Sequence, residues 1–200
     1  MQMKEKYFIF LLGTKETKKS FFFKKITKNS NSNYNQPIGI EMKSKIYSLK
    51  EEKIILEINF IDTSISELNS NFFYSILNIN KSAIILFFNF NNEKSFDYIK
   101  KWINDNEKII NETKIEFEGE EFFFPILILG ISNDKNENFN KNKIEFLVEN
   151  ENIFNLQIID LNILKDDDIS NIILNFFNNK INKYYGSLKK KLDINECILF

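Results

Sequence analysis

Histidine and arginine are both missing from this 200-residue chain. Without histidine there is no Ser-His-Asp or Cys-His relay and no imidazole metal ligand, and without arginine no arginine finger can act in cis. The single cysteine, Cys197, excludes an intramolecular disulfide framework and a cysteine-rich zinc site, which fits a reducing compartment. Basic and acidic residues number 27 and 28, a net charge of -1, so there is no global basic field and nucleic acid is not an expected partner. No apolar run approaches the roughly 18 residues that cross a bilayer. The opening MQMKEKYFIFLLGTKE has too short an apolar stretch, and no small-residue cleavage site, for a signal peptide. A cytoplasmic protein is expected.

What the chain does have is apolar material: 43% hydrophobic residues, 15% aromatic and 22 Phe, enough for one sizeable core. Asn and Lys crowd instead into polar stretches such as Lys28 to Gln36 and Asn133 to Lys143, which read as loops. Short, nearly continuous apolar runs at Tyr7 to Leu12, Ile54 to Ile61, Ala83 to Phe90, Phe122 to Leu129 and Leu156 to Ile159 read as buried strands. Between them, helical spacing marks Ser20 to Ile26, Ser95 to Ile110 (with Phe96, Ile99, Trp102 and Ile103), Ile144 to Val148 and Ile169 to Ile181. Met42 to Tyr47 and Ile54 to Ile61, across a turn at Lys50 to Lys53, read as an antiparallel pair. Alternating strands and helices imply right-handed crossovers and an α/β fold with a mostly parallel sheet. One domain over residues 1–183 and a flexible tail over 184–200 are expected.

The segment Gly13-Thr14-Lys15-Glu16-Thr17-Lys18-Lys19-Ser20 follows a strand and opens a helix, the position of a phosphate-binding loop. Such loops need Gly so that backbone amides can wrap phosphates, Lys to reach the terminal phosphates, and Ser or Thr to hold Mg²⁺. Lys18 stands where the second Gly of the pattern belongs, at a cost of about 1–2 kcal/mol if its backbone is left-handed. Glu16 adds a carboxylate to the loop.

Together with three further pieces, this segment resembles the Ras superfamily of small GTPases, and most closely its Rab branch. Ala83 to Ile103, AIILFFNFNNEKSFDYIKKWI, is similar without a gap to the fourth strand and third helix of Rab proteins; Ile38-Gly39-Ile40-Glu41 resembles the effector loop; Ile61-Asp62-Thr63 resembles the start of D-T-A-G-Q. The resemblance implies a three-layer P-loop fold whose six-stranded sheet has one antiparallel strand. It also implies GTP or GDP and Mg²⁺ as ligands, with Gly13, Lys19, Ser20 and Asp134 binding nucleotide and Ser20 and Asp62 holding the metal. Effector and regulator proteins are the implied partners.

Where the family carries its switch I Thr this chain has Pro37, and Ser64, Ile65 and Ser66 follow Asp62-Thr63, replacing the Gly that touches the γ-phosphate and the Gln that orients water. The guanine motif N-K-x-D reads Ile131-Ser132-Asn133-Asp134, and the S-A-K motif, near Asn162-Ile163-Leu164, is not recognisable. No catalytic residue is assigned, and hydrolysis is expected to be very slow or absent. At the other end, Cys197-Ile198-Leu199-Phe200 fits C-a-a-X with a geranylgeranyl-type ending, and Lys189, Lys190 and Lys191 supply the basic second signal for a membrane. The expected protein is a divergent Rab-like GTPase on the cytosolic face of a membrane, serving vesicle traffic or signalling. The alternative is a pseudoGTPase that binds a partner without nucleotide, through Ile38 to Glu41 or the inserted acidic loop Glu116 to Glu121.

Overall fold

The computed structural model describes residues 3–27, 40–49, 54–63, 70–79, 81–132, 155–160 and 166–187. Five strands, β1 (Met3–Leu12), β3 (Ile54–Thr63), β4 (Ser82–Asn89), β7 (Ile126–Ser132) and β8 (Asn155–Asp160), run parallel, and β2 (Ile40–Leu49) pairs antiparallel with β3 at one edge. The six-stranded order is β2-β3-β1-β4-β7-β8. This is the α/β sheet with one antiparallel strand expected above. The helices are α1 (Lys19–Ile26), α2 (Ser70–Leu77), α3 (Glu93–Glu112) and α4, which begins at Asp166–Phe176.

Strands buried on both faces need no polar alternation, so their apolar runs are continuous. Alternate residues then serve different layers. Ile9, Leu11, Ile85 and Phe87 pack with Phe22 and Phe23 of α1 and with Ile169, Ile173 and Phe176 of α4. Phe10, Leu12, Ile84 and Leu86 pack with Ile76 of α2 and with Phe96, Ile99, Trp102 and Ile103 of α3. Trp102 is core, as the sequence suggested.

Three expectations need correction. The run Phe122 to Leu129 is not one strand: Phe122 closes a separate hairpin, β5 (Ile115–Phe117) with β6 (Glu120–Phe122), and β7 starts only after Pro125, which has no amide to give a ladder. The inserted acidic segment is therefore that hairpin, its turn made by Glu118 and Gly119 with φ of 53° and 80°. Helix α2, which has no counterpart in the sequence reading, lies between β3 and β4. Finally, α4 does not stop at Ile181: it passes through a π-helical turn at Phe177–Ile181 and continues to residue 187. Tyr184 and Tyr185, assigned above to the tail, belong to the packed domain. The helical reading of Ile144 to Val148 lies outside the described residues.

The π turn changes which face of α4 meets the sheet. Before it the helix packs in the α1 layer; after it Tyr184 joins the α3 layer, and its hydroxyl donates to the Thr113 carbonyl at 3.0 Å. The Tyr185 hydroxyl accepts from the Ser82 amide and donates to the Ser82 carbonyl, each at 2.7 Å. Burial pushes the Tyr184 phenol up to about 12 and that of Tyr185 up as well, so both stay neutral donors at physiological pH. Replacing Tyr185 with Phe strands both backbone groups of Ser82. Tyr185→Phe is expected to cost about 1–3 kcal/mol, read as a lower urea midpoint at unchanged m-value.

Candidate functional site

Gly13 ends β1 with φ of 154°, and a Cβ there would lie 2.8 Å from the Phe87 carbonyl oxygen, so both backbone and space demand glycine. The chain then makes a single 3₁₀ turn, Lys15–Thr17, in which the buried Thr17 hydroxyl donates to the Thr14 carbonyl at 2.7 Å. Lys18 adopts φ 52°, ψ 23°, the left-handed conformation inferred from its place in the pattern, and α1 starts at Lys19. Lys18 is also the helix-capping residue and its side chain makes no capping hydrogen bond. Ser20, the second helical residue, is thus not a cap, and its hydroxyl stands at the open end of α1, where amides and the helix dipole favour an anion. Glu16 is exposed on this loop, and the proximity of the Thr14 hydroxyl and of its own backbone amide holds its carboxyl below the usual carboxylate range, so it is ionised at neutral pH.

The parallel register of β1 and β3 sets Leu11 beside Asp62 and brings the end of β3 under the loop. There Lys19 donates from Nζ to Asp62 Oδ1 and, at 2.6 Å, to the Thr63 carbonyl. Lys19 is 6% exposed and Asp62 0%. The second carboxylate oxygen, Asp62 Oδ2, is buried with no hydrogen-bond partner among the described residues. Gly13, Lys19, Ser20 and Asp62 are therefore gathered at one end of the sheet. They suit a phosphate and a hard cation: Lys19 and the α1 amides would hold the phosphate, Ser20 and Asp62 the Mg²⁺, whose role when bound is to neutralise phosphate charge. Among the described residues no cluster of three or more Asp, Glu or Cys could hold a metal unaided.

The base side differs. Ile131, standing where the family's N-K-x-D begins, is 0% exposed and shares a core with Phe22, Phe87 and Leu129. Its carbonyl accepts from the Phe90 amide at 3.0 Å. An apolar, buried side chain offers no hydrogen bond to a purine edge, so this position does not fit guanine. Asp134, Pro37 and Ser64 to Ser66 lie outside the described residues, as do Cys197, Lys189, Lys190 and Lys191.

Asn89 was not singled out by sequence reasoning, yet it links the loop to the rest of the domain. Its side-chain amide donates to the Glu16 carbonyl at 3.2 Å, and its own amide donates to the Ser95 hydroxyl at 2.9 Å. Ser95 is fully buried and its amide is capped by Asn92 at 3.0 Å. The stretch Asn89 to Phe96, quoted above for its Rab-like spacing, thus carries a physical device: the start of α3 orients Asn89, and Asn89 positions the loop. Periodicity does not find it, because Asn89 lies within the apolar run Ala83 to Phe90 that reads as a strand.

With this loop and sheet order in place, the class is an α/β domain with the small-GTPase fold. The profile of the Ras family matches residues 8–155, and the chain belongs to that family. Within it, the chain is similar to the Ras-related protein RabV of Dictyostelium discoideum, 36% identical over 96 residues. That match covers 48% of this chain and 40% of the relative's length.

Restoring the family's residue at 131 tests whether the base position has become core. Ile131→Asn would bury an amide among Phe22, Phe87 and Leu129 and remove apolar volume. A loss of about 2–4 kcal/mol in chemical denaturation is expected, with no gain in GDP affinity by calorimetry.

Proposed function

We propose that this Ras-family protein is a membrane-tethered binding module of Rab type that presents its effector face largely independently of guanine nucleotide. The observation that carries this reading is the burial of Ile131 in the core at the head of the base-recognition motif. Replacement of the switch I Thr by Pro37, and of the water-orienting Gln by Ser66, supports it from sequence.

A surface for protein partners is available on β2. Ile40, Met42 and Ile46 project from this edge strand at 62%, 56% and 65% exposure, continuing from the segment that resembles the Rab effector loop. Exposed apolar side chains along one face of an edge strand suit a partner that adds apolar surface. The recruited partner would act in vesicle traffic or signalling.

The reading as a nucleotide-driven switch has its own support in the gathering of Gly13, Lys19, Ser20 and Asp62 at the loop. The two are separated by nucleotide content. Purified full-length protein, denatured and chromatographed, is expected to release well under one equivalent of guanine nucleotide. Any hydrolysis is expected at or below about 10⁻⁴ per second, the intrinsic scale of the family. Stoichiometric GDP would establish the switch instead.

Tethering rests on Cys197 with Lys189, Lys190 and Lys191. The placement of the last helix supports it: Tyr185 is fastened to Ser82 at one end of β4 while Asn89 meets the phosphate loop at the other, about 23 Å away by strand rise. A lipid beyond residue 187 would hold the module from the end away from its loop. Among the described residues no helix is long and apolar enough to cross a membrane. A twenty-carbon prenyl chain, at about 0.8 kcal/mol per buried CH₂, outweighs three Lys at about 1 kcal/mol each. Cys197→Ser is therefore expected to move the protein to the soluble fraction in cell fractionation, while neutralising the three Lys only weakens membrane binding.

A further inference from the structure

A strand at the edge of a sheet offers a row of backbone donors and acceptors to any strand that can lie beside it, and proteins blunt such edges with short strands, prolines, bulges or inward-pointing charges. The edge strand β2 is ten residues long, holds one register against β3 from Ile40 opposite Thr63 to Leu49 opposite Ile54, and has neither proline nor bulge. It ends the strand order, so among the described residues no strand lies beyond it. What it does carry is charge. Glu41, Lys43 and Lys45 point to the face opposite the exposed Ile40, Met42 and Ile46; Glu41 and Lys43 pair at 2.7 Å, and the Lys43 ammonium lies 5.3 Å from the centre of the Phe23 ring. Charges in this position repel a strand that cannot answer them. They also select one that can.

The strand that answers them is a second β2. Two copies related by a two-fold axis normal to the sheet run antiparallel, and residues directly opposite share a face. With the axis at Glu41, Lys43 or Lys45 that residue meets its own like charge, and with the axis at Ser44 each Lys43 meets a Lys45. With the axis at Ile46 or later, Glu41 meets no lysine of the strand. An axis at Met42 sets Glu41 of each copy opposite Lys43 of the other, Ile40 opposite Ser44 and Met42 opposite Met42, so both charged pairs are satisfied and no like charges stand opposed. We propose that β2 is a self-association edge, at which two copies of this chain pair antiparallel about Met42 and join their sheets. The contact is short, which makes it a concentration-dependent dimer rather than an obligate one. This goes beyond the functional reading above and stands whatever guanine nucleotide does, because it uses the backbone edge of β2 and leaves the face of Ile40, Met42 and Ile46 to another partner.

The test is sedimentation of the full-length chain, expressed without its lipid, across the micromolar range. The parent mass is expected to rise with concentration from 23.9 kDa toward twice that value. Glu41→Lys sets lysine against lysine at both ends of the ladder and Lys43→Glu sets glutamate against glutamate, so each should raise the dimer dissociation constant at least about tenfold. The variant carrying both changes reverses every pair and should dimerise like the parent. Mixing the two single variants should restore association between them, since each then supplies the charge that the other lacks. A parent that stays monomeric throughout leaves the edge to a foreign strand and overturns the proposal. Dimers that survive either single reversal, or a mixture that stays monomeric, overturn it equally.

Cross-linking gives a second measurement, for use where a charge variant fails to fold. In a Cys197→Ser background, Met42→Cys places one thiol on the axis, where directly opposed Cα atoms lie about 4.5–5.5 Å apart, within reach of a disulfide. Mild oxidation should convert it largely to a covalent dimer. Ser48→Cys, exposed on the same face but far from its own copy in this register, should stay monomeric under the same conditions. Equal cross-linking of the two variants, or none at position 42, would refute the pairing.

Discussion

Burial of β1 and β4 on both faces is the constraint from which the rest of the architecture follows. A parallel sheet covered on one side only would expose half of each apolar run, so the chain must lay α1 and α4 over one face and α2 and α3 over the other. Crossovers of this kind bring every loop that follows a parallel strand to the same end of the sheet. The phosphate loop after β1, the Asp62-Thr63 end of β3 and Asn89 at the end of β4 therefore meet without any long-range motif having to specify it. Chemistry collects at that end because helices cover both faces of the sheet.

Within this frame the loop keeps the family's strand-turn-helix order and departs from its pattern in charge. Glycine is kept where the backbone passes against β4, at Gly13, since any side chain there would collide with the Phe87 carbonyl. It is not kept at Lys18, where the left-handed conformation costs only about 1–2 kcal/mol and the side chain points to water. The polar contacts that survive are those that also serve the fold: Asn89 to the Glu16 carbonyl, Ser95 to Asn89, Lys19 to Asp62. The position that would serve only a base, residue 131, has become apolar and joined the core.

Much of this could be read before any coordinates. Continuous apolar runs identified all five parallel strands to within a few residues at most starts and ends, and the glycine-led segment before Ser20 identified the loop. Two failures share a cause. The run Phe122 to Leu129 reads as one strand across Pro125 because hydropathy does not register the direction of the chain, and Glu116 to Glu121 reads as a loop because its strands are too short for a period to show. Tyr184 and Tyr185 read as tail because a π turn breaks the 3.6-residue stripe by which the sequence marks the end of a helix.

The sequence alone determined the class of fold, the strand-loop-helix segment that can meet a phosphate, and the family to which the chain belongs, since each depends on local order along the chain. It also singled out Gly13, Lys19, Ser20 and Asp62, each within a recognisable motif. Only the tertiary structure decided that Ile131 lies inside the core, that Asn89 steers the loop, and that the loop's lysine faces the chain's own Asp62. Those are contacts between segments far apart in sequence, set by strand register and helix packing, and a spacing rule carries no information about which buried charge will find which partner.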